Sequence, residues 1–250
     1  MKIRNLIPIA AISLALVQIQ VIRAQPAPPP GAPGDGANAP DVPGRAARLS
    51  FLSGQVSYQP GSVEDWIPAM LNRPLTTGDR LWTEAGARAE INLGSAAIRL
   101  NGRTNFTFIN LDDRTAQMQI SAGTVSVRVR SLADDEVVEI DTPQAALSLL
   151  RPGEYRVDVD EQGDTTIATV RRGQAEATGG QAFTIHPREQ VRIVSGADGA
   201  PPTFDTRDIP LPDPFDNLCS ARDRREDLSQ SARYVSRDIP GYADLDRAGT

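Results

Sequence analysis

The sequence predicts an all-β domain. Short, glycine-punctuated strands would form a β-solenoid or roll-like arrangement, or a sandwich, with a short helical arm at the C-terminal end. Three observations carry this. Gly78, Gly86, Gly94 and Gly102 recur every 8 residues, and glycine accepts the positive φ that tight turns require. Between them, small or apolar side chains alternate with polar ones, as in Ala89-Glu-Ile-Asn-Leu93 and Ile98-Arg-Leu100, which gives a strand one buried and one wet face. A second cadence follows at Gly153, Gly163 and Gly173. These periods are too short for a propeller blade, and no ankyrin-like or leucine-rich consensus is present.

In chain order, Met1–Ala24 reads as a secretory signal, with Lys2 and Arg4 at its start, Leu6–Val17 as the apolar centre and Ala24 before the cut. Pro8, Ser13, Gln18 and Gln20 interrupt the apolar run, which argues against a retained membrane span. Residues 25–47 are rich in Pro, Ala and Gly, lack the apolar side chains that offset ordering entropy, and are expected to be a disordered linker. The β-domain is expected over 48–194. It starts with Leu49-Ser-Phe51 and Val56-Ser-Tyr58, and Pro60-Gly61 is a turn. Phe106, Phe108, Met118 and Ile120 continue the alternation. Gly123 opens Val125-Ser-Val-Arg-Val129, the cleanest two-residue period in the chain. Val138–Asp141, Ala145–Leu149, a hairpin over Tyr155–Arg171 and short strands from Ala175 to Ile193 complete the core. Residues 195–212 read as a linker and 213–250 as a partly helical arm. In that arm Asp213 caps a helix, Pro214 takes its first position, and Phe215, Leu218 and Cys219 share one face. Arg222–Asp227 reads as solvated helix surface.

The formal net charge is −6, and losing the three basic groups of the first 24 residues, with no acids among them, takes it to −9. An acidic chain with dispersed arginines is a poor match for a phosphate backbone, so no nucleic-acid partner is expected. Lys2 is the only lysine and Cys219 the only cysteine. The single cysteine excludes an internal disulfide or a cysteine metal cluster. His186, the only histidine, precludes a multi-histidine metal site or a histidine triad. No Gly-x-Ser-x-Gly elbow or phosphate-cradling loop occurs. Glu136, Glu139 and Asp141 offer carboxylates for glycosidase chemistry, but they sit in a charge run that reads as a solvated face. Asp158, Asp160 and Asp164 fit no calcium-loop spacing. The expectation is a non-enzyme with no cofactor and no metal.

Several ordered pieces resemble the FecR domain: Gly54-Gln-Val56, Leu75-Thr-Thr-Gly-Asp-Arg-Leu81, Ala87–Leu93 leading into Gly94-Ser95, Ala122-Gly-Thr-Val-Ser-Val127, Val138–Thr142 with Pro143, Pro152-Gly-Glu-Tyr-Arg-Val157, and Val170–Gly173. The resemblance runs from about Arg48 to Ala177. It implies a periplasmic β-domain like that of the iron-dicitrate sensing regulator. The namesake has a cytoplasmic anti-sigma segment ahead of a membrane helix. With a signal expected at Met1, this chain resembles instead the secreted branch, whose Pro-, Tyr- and Trp-rich C-terminal region Asp223–Gly249 resembles at its start and is expected to be cut short here.

The expected function is a non-catalytic periplasmic or secreted protein-interaction, envelope-scaffold or regulatory module. Its partner would be a protein of the cell envelope, reached through an open strand edge or through the arm residues Phe215, Leu218 and Tyr234. Two alternatives stand beside it: glycan or peptidoglycan binding on Trp66, Trp82 and Tyr155, and an envelope sensor acting in trans on a regulator. Tryptophans in small β-domains are more often core than sugar platforms.

Overall fold

The computed structural model describes residues 45–248; the expected signal and nearly all of the expected N-terminal linker lie outside them. In chain order the strands are β1 (Ala47–Ser53), β2 (Val56–Gln59), β3 (Ile67–Pro68), β4 (Pro74–Leu75), β5 (Arg80–Thr83), β6 (Arg88–Asn92), β7 (Ala96–Leu100), β8 (Thr104–Leu111) and β9 (Thr115–Val129). They continue as β10 (Val137–Asp141), β11 (Ala146–Leu149), β12 (Gly153–Val159), β13 (Thr165–Arg172), β14 (Ala175–Thr178), β15 (Ala182–Ile185), β16 (Glu189–Val194) and β17 (Thr203–Asp208). One helix of several turns, α1 (Pro214–Asp227), follows. The molecule is therefore mostly β-sheet, as its alternation predicts, and the sheet does not close on itself.

Hydrogen bonding sorts the strands into two ladders. The first runs β4-β1-β6-β7-β9-β12-β13-β16-β17. The second runs β3-β2-β5-β8-β9-β10-β11-β14-β15. Neighbours are antiparallel except β9 and β10, which run parallel. After β5 the chain lays strand pairs alternately in one ladder and the other, so the regular glycine spacing corresponds to turns between short strands.

β9 belongs to both ladders. Its first half lies between β8 and β10, and its second half between β7 and β12. The buried side chains are Ala116, Met118 and Ile120 in the first half but Val125, Val127 and Val129 in the second. A bulge opposite Asn105 and Phe106 produces this change of parity, because one extra residue moves every following side chain to the other face. The sequence suggests two segments separated by Gly123; the structure has one bent strand. Gly123 sits at φ +99°, and a Cβ there would lie 2.4 Å from the carbonyl oxygen of Arg103.

Register aligns the apolar side chains into rows. Leu49, Ile91, Ile98, Val127, Tyr155 and Val170 face one another across the first ladder. Phe108, Met118, Ile140, Leu147, Ala177 and Phe183 do so across the second. Both rows feed one core cluster. Where β15 and β17 leave the ladders open, Phe183 and Phe204 stack with centroids 5.1 Å apart, an offset aromatic contact between the two edges. Within 195–212, read from composition as a linker, Thr203–Asp208 pairs along the whole of β16, and only the apolar Phe204 in it hints at a strand.

Gly123→Ala forces a side chain into positive-φ backbone against Thr104. It should lower unfolding stability by about 2 kcal/mol or more, read as a reduced urea midpoint with an unchanged slope.

Candidate functional site

The sequence pieces that resemble the family pattern have structural roles. In Thr76-Thr-Gly-Asp79, the Asp79 carboxylate is buried and accepts from the Thr76 amide (2.8 Å), the Gly61 amide (3.0 Å) and the Tyr58 hydroxyl (2.9 Å). It ties the β4–β5 turn to the loop after β2. In Gly153-Glu-Tyr155, the Tyr155 hydroxyl donates to the Arg151 carbonyl oxygen and accepts from the Gln174 amide. Gly173 is bare at φ +94° because a Cβ would meet that hydroxyl. These groups shape turns.

The most elaborate cluster lies where α1 crosses the outer face of the first ladder. Glu90, Arg99, Ser126 and Arg156 follow one another across β6, β7, β9 and β12 on the side opposite the core, where alternation predicts solvent. α1 covers this row. Asp213 caps the helix by accepting from the Asp216 amide, and Asp216 returns the contact to the Asp213 amide, satisfying donors that a helix start otherwise leaves open. Of the apolar face expected in the arm, Phe215 and Cys219 are buried and Leu218 is half-buried. The helix also buries Asp216, Asp223 and Glu226.

Arginines of the ladder meet these acids. Arg156 pairs with Asp213 (2.7 Å) and Asp216 (3.2 Å), and Arg171 with Asp216 (2.7 Å). Towards the other end, Arg99 pairs with Asp223 (2.8 Å), Arg128 with Asp227 (2.9 Å), and Arg130 with Glu226. One pairing has the opposite sense: Arg222 of the helix donates to both Glu90 oxygens (2.5 and 2.7 Å). Glu90 also accepts from Arg99 (2.6 Å) and Ser50 (3.0 Å). Arg222–Asp227 is therefore divided: Arg222, Asp223 and Glu226 form a docked face, while Arg224, Arg225 and Asp227 stay exposed as the charges suggest. A reader of the sequence sees no apolar stripe there, and the complementary charges lie up to 132 residues away in the chain.

Both Glu90 and Arg99 are 2% exposed. Burial on its own would raise the Glu90 carboxyl, but hydrogen bonds from Arg222 and the charges of Arg99 and Arg222 outweigh it and bring it down to about 2. For Arg99 the loss of solvent opposes the charged form, and the charges of Glu90 and Asp223 restore it. The Cys219 thiol, buried beside these groups, is pushed up to about 11, mainly by loss of solvent, so it is a poor nucleophile while α1 stays docked.

Past α1 the chain returns to β1. Gly241 turns at φ +88°, the buried Tyr242 donates to the Glu226 carbonyl oxygen, and Arg48 pairs with Asp244 (2.7 Å). Tyr234 is 86% and Leu228 74% exposed, so neither packs on the ladder. Phe215 packs under two arginines, Arg88 and Arg156, and is not free for a partner.

A second feature lies at the β3 edge. Val63, Trp66, Ile67, Met70 and Leu71 are all exposed, Met70 to 66%. Met70 also lines an open groove of about 830 Å³, together with Tyr58, Arg73, Thr76 and Asp79. The Arg73 guanidinium lies 4.0 Å from the Tyr58 ring centroid. Of the three aromatics named as a sugar platform, Trp66 is exposed and Trp82 half-buried, its indole donating to Glu84. Tyr155 is 3% exposed in the core and presents no face, so the structure does not bring the three together. The glycosidase carboxylates are also divided. Glu136 pairs with Arg45, while Glu139 and Asp141 share the Gln117 amide. Burial and the Glu139 charge raise Asp141. Asp158 pairs with Arg156, and Asp160 caps its own turn. Among the described residues no three ligating side chains cluster as a metal site, and no helix is long and apolar enough to cross a membrane.

Residues 79–176 match the family model described as FecR protein, so the resemblance read from the motifs holds over this segment. It runs from β5 into β14 and includes Glu90 and all five of the ladder arginines that meet the helix. No curated protein matches the chain. Among solved structures the chain is similar to two crystal structures described as a "putative anti-sigma factor from Parabacteroides distasonis ATCC 8503". Identity is 15% in one case and 14% in the other, and the TM-score is 0.44 for both. Each match covers 52% of this chain and 59% of the other, so it spans less than two thirds of those proteins.

Glu90→Gln leaves Arg99 and Arg222 without their shared counter-charge in a buried site, and should cost about 3 kcal/mol or more of unfolding stability. The pH profile separates charge from packing. The folded Glu90 carboxyl sits at about 2 against an ordinary 4.5. Its contribution is therefore complete above about 4.5 and lost as pH falls towards 2, a change of about 3 kcal/mol. Urea midpoints of the unaltered chain should fall across that window, and Glu90→Gln should flatten the fall.

Proposed function

We propose that the chain is a non-catalytic FecR-type module of the cell envelope, periplasmic or secreted, that regulates or scaffolds by binding another protein. The observation that carries this reading is the run of exposed apolar side chains over Val63–Leu71 beside the β3 edge. A contiguous exposed apolar patch at a strand edge is a common mark of a binding surface, and the neighbouring groove adds a concave receptor. The roll-like reading of the fold suits the role, because a rigid scaffold holds such a loop at its open end. The FecR match over 79–176 supports regulation through protein contacts over catalysis. The arm serves the reading as part of the folded unit and not as a free docking tail. Glycan binding would rest on Trp66 and Trp82 alone. Sensing in trans would need the same edge to meet a membrane regulator.

The test compares the chain from residue 25 onward with its Trp66→Ala and Met70→Asp variants in co-purification from envelope extract, read by mass spectrometry. A specific protein retained by the parent and reduced at least about tenfold by both variants is the expected result. Identical protein lists for parent and variants would remove the β3 edge as the surface. Retention only on insoluble cell wall, lost with Trp66→Ala, would replace the protein partner with glycan.

A further inference from the structure

The contact between α1 and the first ladder is unusual in what it buries. Phe215 and Cys219 are the buried apolar side chains of the helix, whereas three of its acids are buried with them. Five ladder arginines, Arg99, Arg128, Arg130, Arg156 and Arg171, face five helix acids, Asp213, Asp216, Asp223, Glu226 and Asp227. Small gaps of about 60 Å³ beside Cys219 and about 20 Å³ beside Arg222 remain in the contact. Ion pairs repay their desolvation only in part, and polar contacts within a chain resemble transient interfaces. The helix is thus held in one register by charge pattern, with little apolar area behind it. It joins β17 through Ile209-Pro-Leu-Pro212, whose Leu211 is 90% exposed, and the helix with the Tyr242–Asp244 turn that follows it belongs to neither ladder, so both can lift off together.

We propose that the arginine-lined outer face of the first ladder is a receptor for an acidic amphipathic helix of a partner protein, and that α1 is its resident, displaceable occupant. Charge complementarity identifies the ligand. It is a helix with one aromatic residue near its start, acids close to that end to meet Arg156 and Arg171, and acids two to three turns later to meet Arg99, Arg128 and Arg130. An apolar helix would leave the arginines buried without counter-charge, and a basic one would be repelled. A basic site that carries its own acidic helix is closed to weak competitors, because the tethered occupant has a high effective concentration. It opens when a better-matched helix arrives or when salt screens the pairs. This surface is separate from the β3 edge, and its test does not depend on that edge.

The experiment uses the full mature chain and two readouts. In the first, a fluorescein-labelled peptide of residues 209–230 is titrated into the parent and into the Asp223→Asn, Glu226→Gln, Asp227→Asn variant, with fluorescence anisotropy as the signal. A peptide with all its acids changed to the corresponding amides is the control. The variant, its resident helix weakened, should bind the acidic peptide at least about tenfold more tightly than the parent does, and neither should bind the amide peptide. In the second, the unaltered chain reacts with 4,4′-dithiodipyridine at increasing salt, with Cys219 reporting on the opening of the helix. The reaction should accelerate at least about tenfold by roughly 0.5 M salt while the β-sheet circular dichroism stays constant. This readout holds even where the charge variant fails to fold. Equal binding of acidic and amide peptides, or a Cys219 that reacts only on global unfolding, would overturn the proposal. So would a dimer that exchanges α1 between copies in place of binding peptide.

Discussion

The structure depends on one strand that serves two ladders. β9 pairs with β8 and β10 over its first half and with β7 and β12 over its second. Every apolar row of the core crosses it, through Met118 in one ladder and Val127 in the other. The parity change near Gly123 keeps both halves facing the core cluster. Without the bulge, one half would turn its valines or its Met118 and Ile120 to solvent. This requirement also explains the bare backbone at Gly123, where Arg103 and Thr104 approach too closely for any side chain.

The outer face of the same central strands carries the second constraint. Once the apolar residues are committed inward, Glu90, Arg99, Ser126 and Arg156 must point out. Three of them are charged groups that α1 then removes from water. An arginine cannot escape burial by losing its proton under ordinary conditions, so each must find an acid. The helix supplies acids at both ends, and its buried apolar residues are Phe215 in the first turn and Cys219 in the second. The structure thus combines a core of ordinary apolar packing with an interface dominated by ion pairs, and the two respond to different conditions. Apolar burial is insensitive to salt of moderate strength, whereas ion pairs weaken as salt screens them.

Much of the β-domain is legible in the sequence because its signals are local. Alternation in Ile98-Arg-Leu100 and Val125–Val129, and turns at Gly78, Gly86 and Gly163, each depend on neighbours a few residues away. The cap at Asp213 with Pro214 following is equally local and appears where expected. The docking face is not legible. Arg99 reads as a solvent residue by its parity, and Asp223 and Glu226 read as solvated helix surface; only the fold brings the two sets together. The same limit applies to Tyr155. In sequence it reads as one ring of a glycan platform, but the ring lies in the core and the carbonyl oxygen of Arg151 and the amide of Gln174 occupy its hydroxyl. Trp66, by contrast, stays at the surface although the prior for a tryptophan in a small β-domain favours the core.

The shared strand also dictates an order of assembly. Strands β6 and β7 can pair as a hairpin as soon as they are made, but β7 waits for residues 125–129 to gain its second neighbour, and those residues in turn wait for β12. The β1–β6 pairing spans a loop of some forty residues, and α1 cannot dock until the strands it covers have formed before it, since Glu90 and Arg222 are 132 positions apart. Contacts of such long sequence separation slow folding, because the loop-closure entropy is lost before they form. The arginine face therefore stays bare until α1 follows it and covers it.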